Sequence, residues 1–388
     1  MRIRIRHLFF IVAIFMCFDS ALKINFLGIY VQAGLLLSVI SLVMISGVLE
    51  RAAWFQLLAD RGLLLISLVT LAHFYTALDV SVYFRMIFYL LMFIVLYIFV
   101  FLTAGSVDIE KVSYVCVLIL CLTGGFQYVL TNYGSGFHLR GMDAEYYLGN
   151  GDLAYRMRGF FLEPNWYGLV LFSWLYVFYR NTVQFASKKF IFLVFLAISC
   201  LILSGNRLIL IFIFIFCFLI ILKRRGVDVG KVPPVTILIL AAVFFWGLAI
   251  TGGFDDRSAA ARLYTASQTL YHLGTSSISE VFFGFGFSNW GEYSNSLELS
   301  WSNYTFDQKL TRRDNSELYV VLFEMGVFGL LIYLYDAYYL TTRPNSNYLD
   351  RYFVIFIYIS SFVYPLYSFI MYMIPYMIIR SNMIRGSL

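Results

Sequence analysis

Apolar residues fall in long blocks along this chain, and polar residues are largely confined to the stretches between them. A helix that crosses a lipid bilayer needs about 20 consecutive apolar residues, with a range of about 17–25. On that measure the pattern predicts spans at 8–22, 26–46, 62–78, 83–103, 112–131, 165–179, 189–204, 207–222, 234–250 and 317–340. A last apolar run at 352–379 is long for one helix and short for two, and Pro365 and Pro375 interrupt it. The expected fold is an all-α polytopic membrane protein of about eleven or twelve transmembrane helices. Residues 1–388 then form a single integral membrane domain.

The basic residues between the blocks set an expected orientation, because short cytoplasmic connections carry the excess of Lys and Arg. Arg2, Arg4 and Arg6 put the N-terminus in the cytoplasm. Alternate threading then brings to the same face Arg51 and Arg61; Lys111; Arg180, Lys188 and Lys189; Lys223, Arg224, Arg225 and Lys231; and Arg343 and Arg351. Arg380 and Arg385 favour a cytoplasmic C-terminus and hence the higher span count. The first block, Leu8–Phe18, also has the look of a signal peptide core. No small-x-small cleavage site follows it, and many spans do, so an uncleaved first span is expected. Two long connections, about 132–164 and 251–316, fall on the opposite face and mix acids and arginines with Tyr and Trp. Loops of that length are usually functional. The protein is therefore expected to work mainly on its non-cytoplasmic side.

Composition agrees with lipid as the main solvent. Apolar residues make up 61% and charged residues 13%, against about 25% charged in soluble domains. Aromatics reach 20%, and Tyr suits an interface because its ring is apolar and its hydroxyl is wet. The net charge of +6 sits in clusters between spans rather than in a basic patch, which argues against nucleic acid as a partner. Cys17, Cys116, Cys121, Cys200 and Cys217 all fall inside apolar runs without metal-ligand spacing, and read as small buried residues. No internal repeat, P-loop or GxGxxG pattern occurs, so an energy-coupled pump is not expected.

Four constellations break the apolar pattern near the non-cytoplasmic face. The first is Arg156-Met157-Arg158-Gly159-Phe160-Phe161-Leu162-Glu163-Pro164-Asn165. Pro164 fits the first turn of a helix and Glu163 suits its positive end. The second, Ser204-Gly205-Asn206-Arg207, is a tight turn between very apolar helices, where Arg207 either snorkels to headgroups or points into the bundle and meets an anion. The third is Asp255-Asp256-Arg257 with Arg262 five residues on, readable also as surface ion pairs. Gly284-Phe285-Gly286-Phe287 beyond it reads as a flexible turn. The fourth is Arg312-Arg313-Asp314-Asn315-Ser316-Glu317, then Glu324-Met325-Gly326-Val327-Phe328-Gly329. Asp314 or Asn315 could cap a helix with Glu317. Glu324 shares a helix face with Glu317 and needs a partner inside the bundle, and Gly326 and Gly329 allow close helix packing.

Together, and in this order, these elements resemble the bacterial O-antigen polymerase and ligase superfamily, most closely the Wzy-type polymerases. The resemblance rests on Arg158-Gly159-Phe160-x-x-Glu163-Pro164-Asn165, on Ser204-Gly205-Asn206-Arg207, and on Asp314-Asn315 followed by Glu324-x-Gly326-x-x-Gly329. It implies a GT-C-like glycosyltransferase of the bacterial inner membrane with two large periplasmic loops. Such an enzyme joins undecaprenyl-diphosphate-linked glycan donor and acceptor, in contact with membrane lipid and with a separate chain-length regulator. Diphosphate recognition then falls to Arg207 and Arg262, seconded by Arg158 and Arg257, since arginine binds phosphate bidentately. Proton removal from the acceptor hydroxyl falls to Asp314 first and Glu163 second. Asn165, Asn315, Glu317, Glu324 and Trp290 would support the substrate. Trp290 belongs to a set of candidate sugar platforms with Tyr146, Tyr147, Tyr155, Tyr293, Trp301 and Tyr304, which read equally as an interfacial aromatic belt. No metal or cofactor is expected, as Asp255-Asp256 is the only adjacent acid pair. Ligases of the superfamily carry a histidine where this chain has Asp314, which favours polymerase over ligase. A lipid-linked oligosaccharide flippase is the remaining alternative, but charges here crowd at one face and no repeat is visible.

Overall fold

The computed structural model describes residues 5–18, 22–26, 29–46, 60–133, 156–161, 164–182, 187–227, 257–296, 317–343, 347–360 and 374–385. The described chain is mostly helical. The helices are α1 (Ile5–Met16), α2 (Ala33–Ser46), α3 (Arg61–Ala72), α4 (Val80–Thr103), α5 (Ile109–Tyr133), α6 (Pro164–Asn181) and α7 (Lys188–Leu203). They continue with α8 (Arg207–Arg224), α9 (Arg257–Thr275), α10 (Ile278–Phe283), α11 (Trp290–Ser296), α12 (Glu317–Thr341), α13 (Tyr348–Ser360) and α14 (Ile374–Arg385). Among the described residues three segments, Val80–Ser106, Ile109–Tyr133 and Leu318–Thr341, are long and apolar enough to cross a membrane.

Exposed apolar side chains run in stripes along helix faces, as a lipid-facing surface requires. Leu64, Leu68 and Leu71 do so on α3, Leu122, Phe126 and Val129 on α5, and Phe214, Phe218 and Ile221 on α8. Among the cysteines four are buried, while Cys217 is exposed on the α8 stripe. Helices in lipid gain no hydrophobic force from one another, so their association relies on close packing and hydrogen bonds.

The chain divides into two compact units. Unit 1 comprises Met1–Trp54, Met92–Ile215 and Met371–Asn382. In it α5 packs on α1, α6 and α7. The central element is α6, whose side chains from Tyr167 to Phe178 are buried almost without interruption. Tyr167 donates from its hydroxyl to Leu120 O at 3.1 Å, and Gly124 makes room for it, since a Cβ there would lie 2.3 Å from the hydroxyl.

Unit 2 comprises Phe55–Leu91, Phe216–Ile370 and Met383–Leu388. Here α12 is central and packs on α3, α9, α10, α11 and α13. Asp336 of α12 is buried and accepts a hydrogen bond from the Tyr358 hydroxyl of α13. Gly62 lets α3 come against that carboxylate.

Several expectations are refined. An antiparallel hairpin of β1 (Lys23–Phe26) and β2 (Ile29–Gln32) takes the start of the block expected as a span at 26–46, and the helix begins only at Ala33. Ile, Phe, Tyr and Val suit a strand as well as a helix in lipid, so hydropathy alone does not separate the two. The described part of the second long connection holds three helices, α9 to α11. The final apolar run carries a helix at each end, and α14 continues through Arg380, which is buried and donates to the Tyr376 hydroxyl at 2.9 Å. The expected span 234–250 lies outside the described residues. Gly326 does allow a close approach, to Phe282 at the end of α10, but it also departs from helical geometry. Its φ of 65° and ψ of −167° break the helical path inside α12.

That conformation is open essentially to glycine, and a Cβ on Gly326 would lie 2.4 Å from Phe282 O. Gly326→Ala is therefore expected to destabilise the fold by at least about 1–3 kcal/mol, seen as a lower melting temperature of the detergent-purified chain. Gly125→Ala, where an added Cβ meets nothing within 4 Å, should leave the melt near wild type.

Candidate functional site

The first two constellations meet in unit 1. The α7 helix ends at Leu203 and α8 begins at Arg207. A helix end leaves carbonyls that need donors. Met157 N donates to Leu203 O at 3.1 Å, and Arg156 Nε donates to Ser204 O at 2.8 Å. A cation at a helix C-terminus is also favoured by the dipole. Gly205, at φ 62°, keeps the turn open for the guanidinium, since a Cβ would lie 2.9 Å from Arg156 Nε.

The same guanidinium reaches the start of α6, where Arg156 Nη2 donates to Asn165 Oδ1 at 3.1 Å. Asn206 Nδ2 donates to Asn165 O at 3.0 Å, while its Oδ1 accepts from Ile209 N at 3.3 Å and so caps α8. On the other side, buried Gln127 of α5 accepts from Arg158 N at 2.9 Å and Gly159 N at 3.3 Å. The segment 156–161 is thus held between the α7–α8 turn, the α6 start and α5. Arg158 is buried, and Arg207 is the first residue of α8. Two helix N-termini with Arg156 and Arg158 in one neighbourhood form a setting that suits a phosphate-bearing anion.

A second cluster lies in unit 2, where the Gly326 break would leave the carbonyls of Phe323 and Glu324 without helical donors. Phe285 N and Gly286 N supply them, both at 2.9 Å. Gly284 and Gly326 face each other so closely that a Cβ on either would meet the other's backbone at 2.5–2.6 Å. Glu324 is fully buried, and its Oε1 accepts from Trp290 N at 3.0 Å, placing the carboxylate on the first turn of α11. Asn289 donates to Thr76 O and Phe285 O, each at 2.7 Å, and accepts from Leu78 N at 2.9 Å. Phe285 stacks on Phe323 with centroids 4.4 Å apart, and Trp290 meets Phe323 edge-on. Trp290 is 1% exposed, so in this arrangement its ring belongs to the packing rather than to an open sugar platform.

Of the expected site residues, Arg158, Asn165 and the Ser204–Arg207 turn are brought together. Arg257 and Arg262 both lie on α9, Glu317 opens α12, and the side chains of these three and of Arg207 lie outside what is described. Glu163, Asp314 and Asn315 lie outside the described residues, as do Tyr146, Tyr147, Tyr155, Trp301 and Tyr304. Sequence reasoning assigned no role to Gln127, Asn206, Asn289 or Asp336. Gln127 and Asp336 carried the same signal as Glu324, a polar residue inside an apolar block. Gly284–Phe287, read as a flexible turn, is the built partner of the Gly326 break. Among the described residues no group of three or more His, Cys, Asp and Glu gathers in a metal-binding cluster.

No protein-family model matches the sequence, and a search of curated proteins gives no match.

Arg156 and Asn165 share one hydrogen bond and the same turn, so their substitutions should be non-additive. In a double-mutant cycle of Arg156→Ala and Asn165→Ala, followed by thermal unfolding in detergent, the coupling is expected at about 0.5–3 kcal/mol. Strict additivity would show that the clamp does not operate.

Proposed function

We propose that the chain polymerises undecaprenyl-diphosphate-linked oligosaccharide repeat units, as a metal-independent glycosyltransferase of the Wzy type at the periplasmic face of the bacterial inner membrane. The observation that carries this reading is the union of the Arg156–Asn165 stretch with the Ser204–Arg207 turn. The second of these, and the Arg158–Asn165 part of the first, are two of the three segments on which the resemblance rests, and their meeting supports a common role for Arg158 and Arg207 near the starts of α6 and α8. A lipid diphosphate leaving group gains negative charge as the glycosidic bond breaks. Preorganised guanidinium groups and helix-terminal amides stabilise such charge at no reorganisation cost. In this proposal Arg207 and Arg158 bind the diphosphate in unit 1. Arg262 and Arg257, and Asp314 or Glu163 as the base, are assigned by resemblance. Glu324 acts by holding α11 rather than by touching substrate.

Deletion of the gene followed by electrophoresis of the lipopolysaccharide tests the reading. The expected product is a lipid core capped with a single repeat unit. Complete absence of transferred units would point to a flippase, and polymer stranded on undecaprenyl diphosphate to a ligase. Arg207→Ala is expected to insert normally in the membrane yet abolish long chains. Normal chain lengths in that variant would remove Arg207 from the mechanism.

A further inference from the structure

A further cationic cluster lies in unit 2. Lys223, in the last turn of α8, holds its ammonium 4.4 Å from the centroid of the Tyr348 ring at the start of α13. One turn along α13, Arg351 Nη2 donates to Arg343 O at 3.0 Å. The Arg343 guanidinium lies 4.1 Å from the Tyr339 ring centroid, and Tyr339 stacks on Tyr335 at 6.0 Å. Arg224 and Arg225 are exposed beside Lys223. Asp350, on the same turn as Arg351, is the single acid among the described residues of these two connections and is buried, 5% exposed. The fold therefore assembles cations from segments far apart in sequence.

The surroundings specify what such a cluster can take. Phe218 and Ile221 are exposed along α8 below Lys223, and Leu331, Leu334 and Tyr338 are exposed along α12 below Arg343. A soluble anion has no use for apolar stripes that end at cations. Tyrosine at such a boundary keeps its ring in the apolar region and its hydroxyl in water. Arginine offers paired donors that match phosphate oxygens. We propose that this cluster is a headgroup site for a negatively charged phospholipid, with the phosphate among Lys223, Arg343 and Arg351 and the acyl chains along α8 and α12. The proposal rests on these helices lying in a membrane and is independent of the polymerase reading.

Thermal unfolding of the detergent-purified full chain, titrated with phosphatidylglycerol, with phosphatidylcholine of the same acyl chains and with glycerol 3-phosphate, tests it. Phosphatidylglycerol is expected to stabilise the protein more than phosphatidylcholine, and glycerol 3-phosphate not at all. The triple variant Lys223→Gln, Arg343→Gln, Arg351→Gln should lose about tenfold or more in apparent affinity for phosphatidylglycerol, with its phosphatidylcholine response unchanged. A control with as many cations removed, Arg180→Gln, Lys188→Gln, Lys189→Gln, should keep the preference. Equal response of the wild type to both lipids, an intact preference in the triple variant, an equal loss in the control, or stabilisation by glycerol 3-phosphate would each overturn the proposal. Should the triple variant fold poorly, Arg224→Gln with Arg225→Gln, both exposed, is expected to weaken the phosphatidylglycerol response several-fold. An unchanged response there would overturn it equally.

Discussion

Lipid offers no water to a broken helix, so each interruption of the backbone inside the membrane has to be closed by the protein itself. Among the described residues, three interruptions of the backbone are closed by other parts of the chain. The end of α7 is closed by Arg156 and the amide of Met157. The break at Gly326 is closed by the amides of Phe285 and Gly286. The junction of α3 and α4 is tied at Thr76 and Leu78 by Asn289. In every case the closing group comes from a distant part of the chain, so satisfying the backbone and fixing the tertiary arrangement are one event. In lipid, where apolar contact between helices competes with equally apolar acyl chains, such ties carry more of the specificity than burial does.

The same constraint separates structural from chemical roles within a motif. Arg156, Asn206, Gln127 and Glu324 each satisfy backbone groups in the folded chain. Their neighbours in sequence inherit fixed backbone positions. Arg158 is pinned through its amide to Gln127, and Arg207 directly follows the capping Asn206. A backbone held this way restricts where the attached charged group can lie, which is what preorganisation for the proposed ligand requires.

Helix positions were largely legible because hydropathy writes them directly. Pro164 opens α6 as its missing amide hydrogen predicts, and the turn at Ser204–Arg207 separates α7 from α8 as read. Contacts also join segments that the charge pattern assigns to one face: 156–165 with 204–206, 73–79 with 284–289, and 223 with 348. The hairpin at 23–32 was hidden, because β-branched and aromatic residues satisfy both a strand and an apolar span. The break in α12 was hidden as well. A glycine in an apolar helix reads as a packing site, and only its partner Gly284 reveals the positive φ. The union of the first two constellations could not be seen from spacing, since Arg156 and Ser204 are separated by the whole of α6 and α7.

This division also explains why short motifs can be informative in a chain whose bulk is permissive. An exposed position in an apolar block, such as Leu122 or Phe195, asks only for apolarity, and Leu, Ile, Val or Phe meets that demand alike. A closing position asks for one geometry. Gly205 must leave space for a guanidinium, Gly326 must adopt a left-handed φ, and Asn206 must both donate and accept. Information about the fold is therefore concentrated at its interruptions, beside which the proposed anion-binding residues also sit. Loss of function at Arg156 or Glu324 would by itself be ambiguous between a broken fold and a broken site. Arg158 and Arg207, next to the closing groups, are the positions at which the proposed chemistry separates from the architecture.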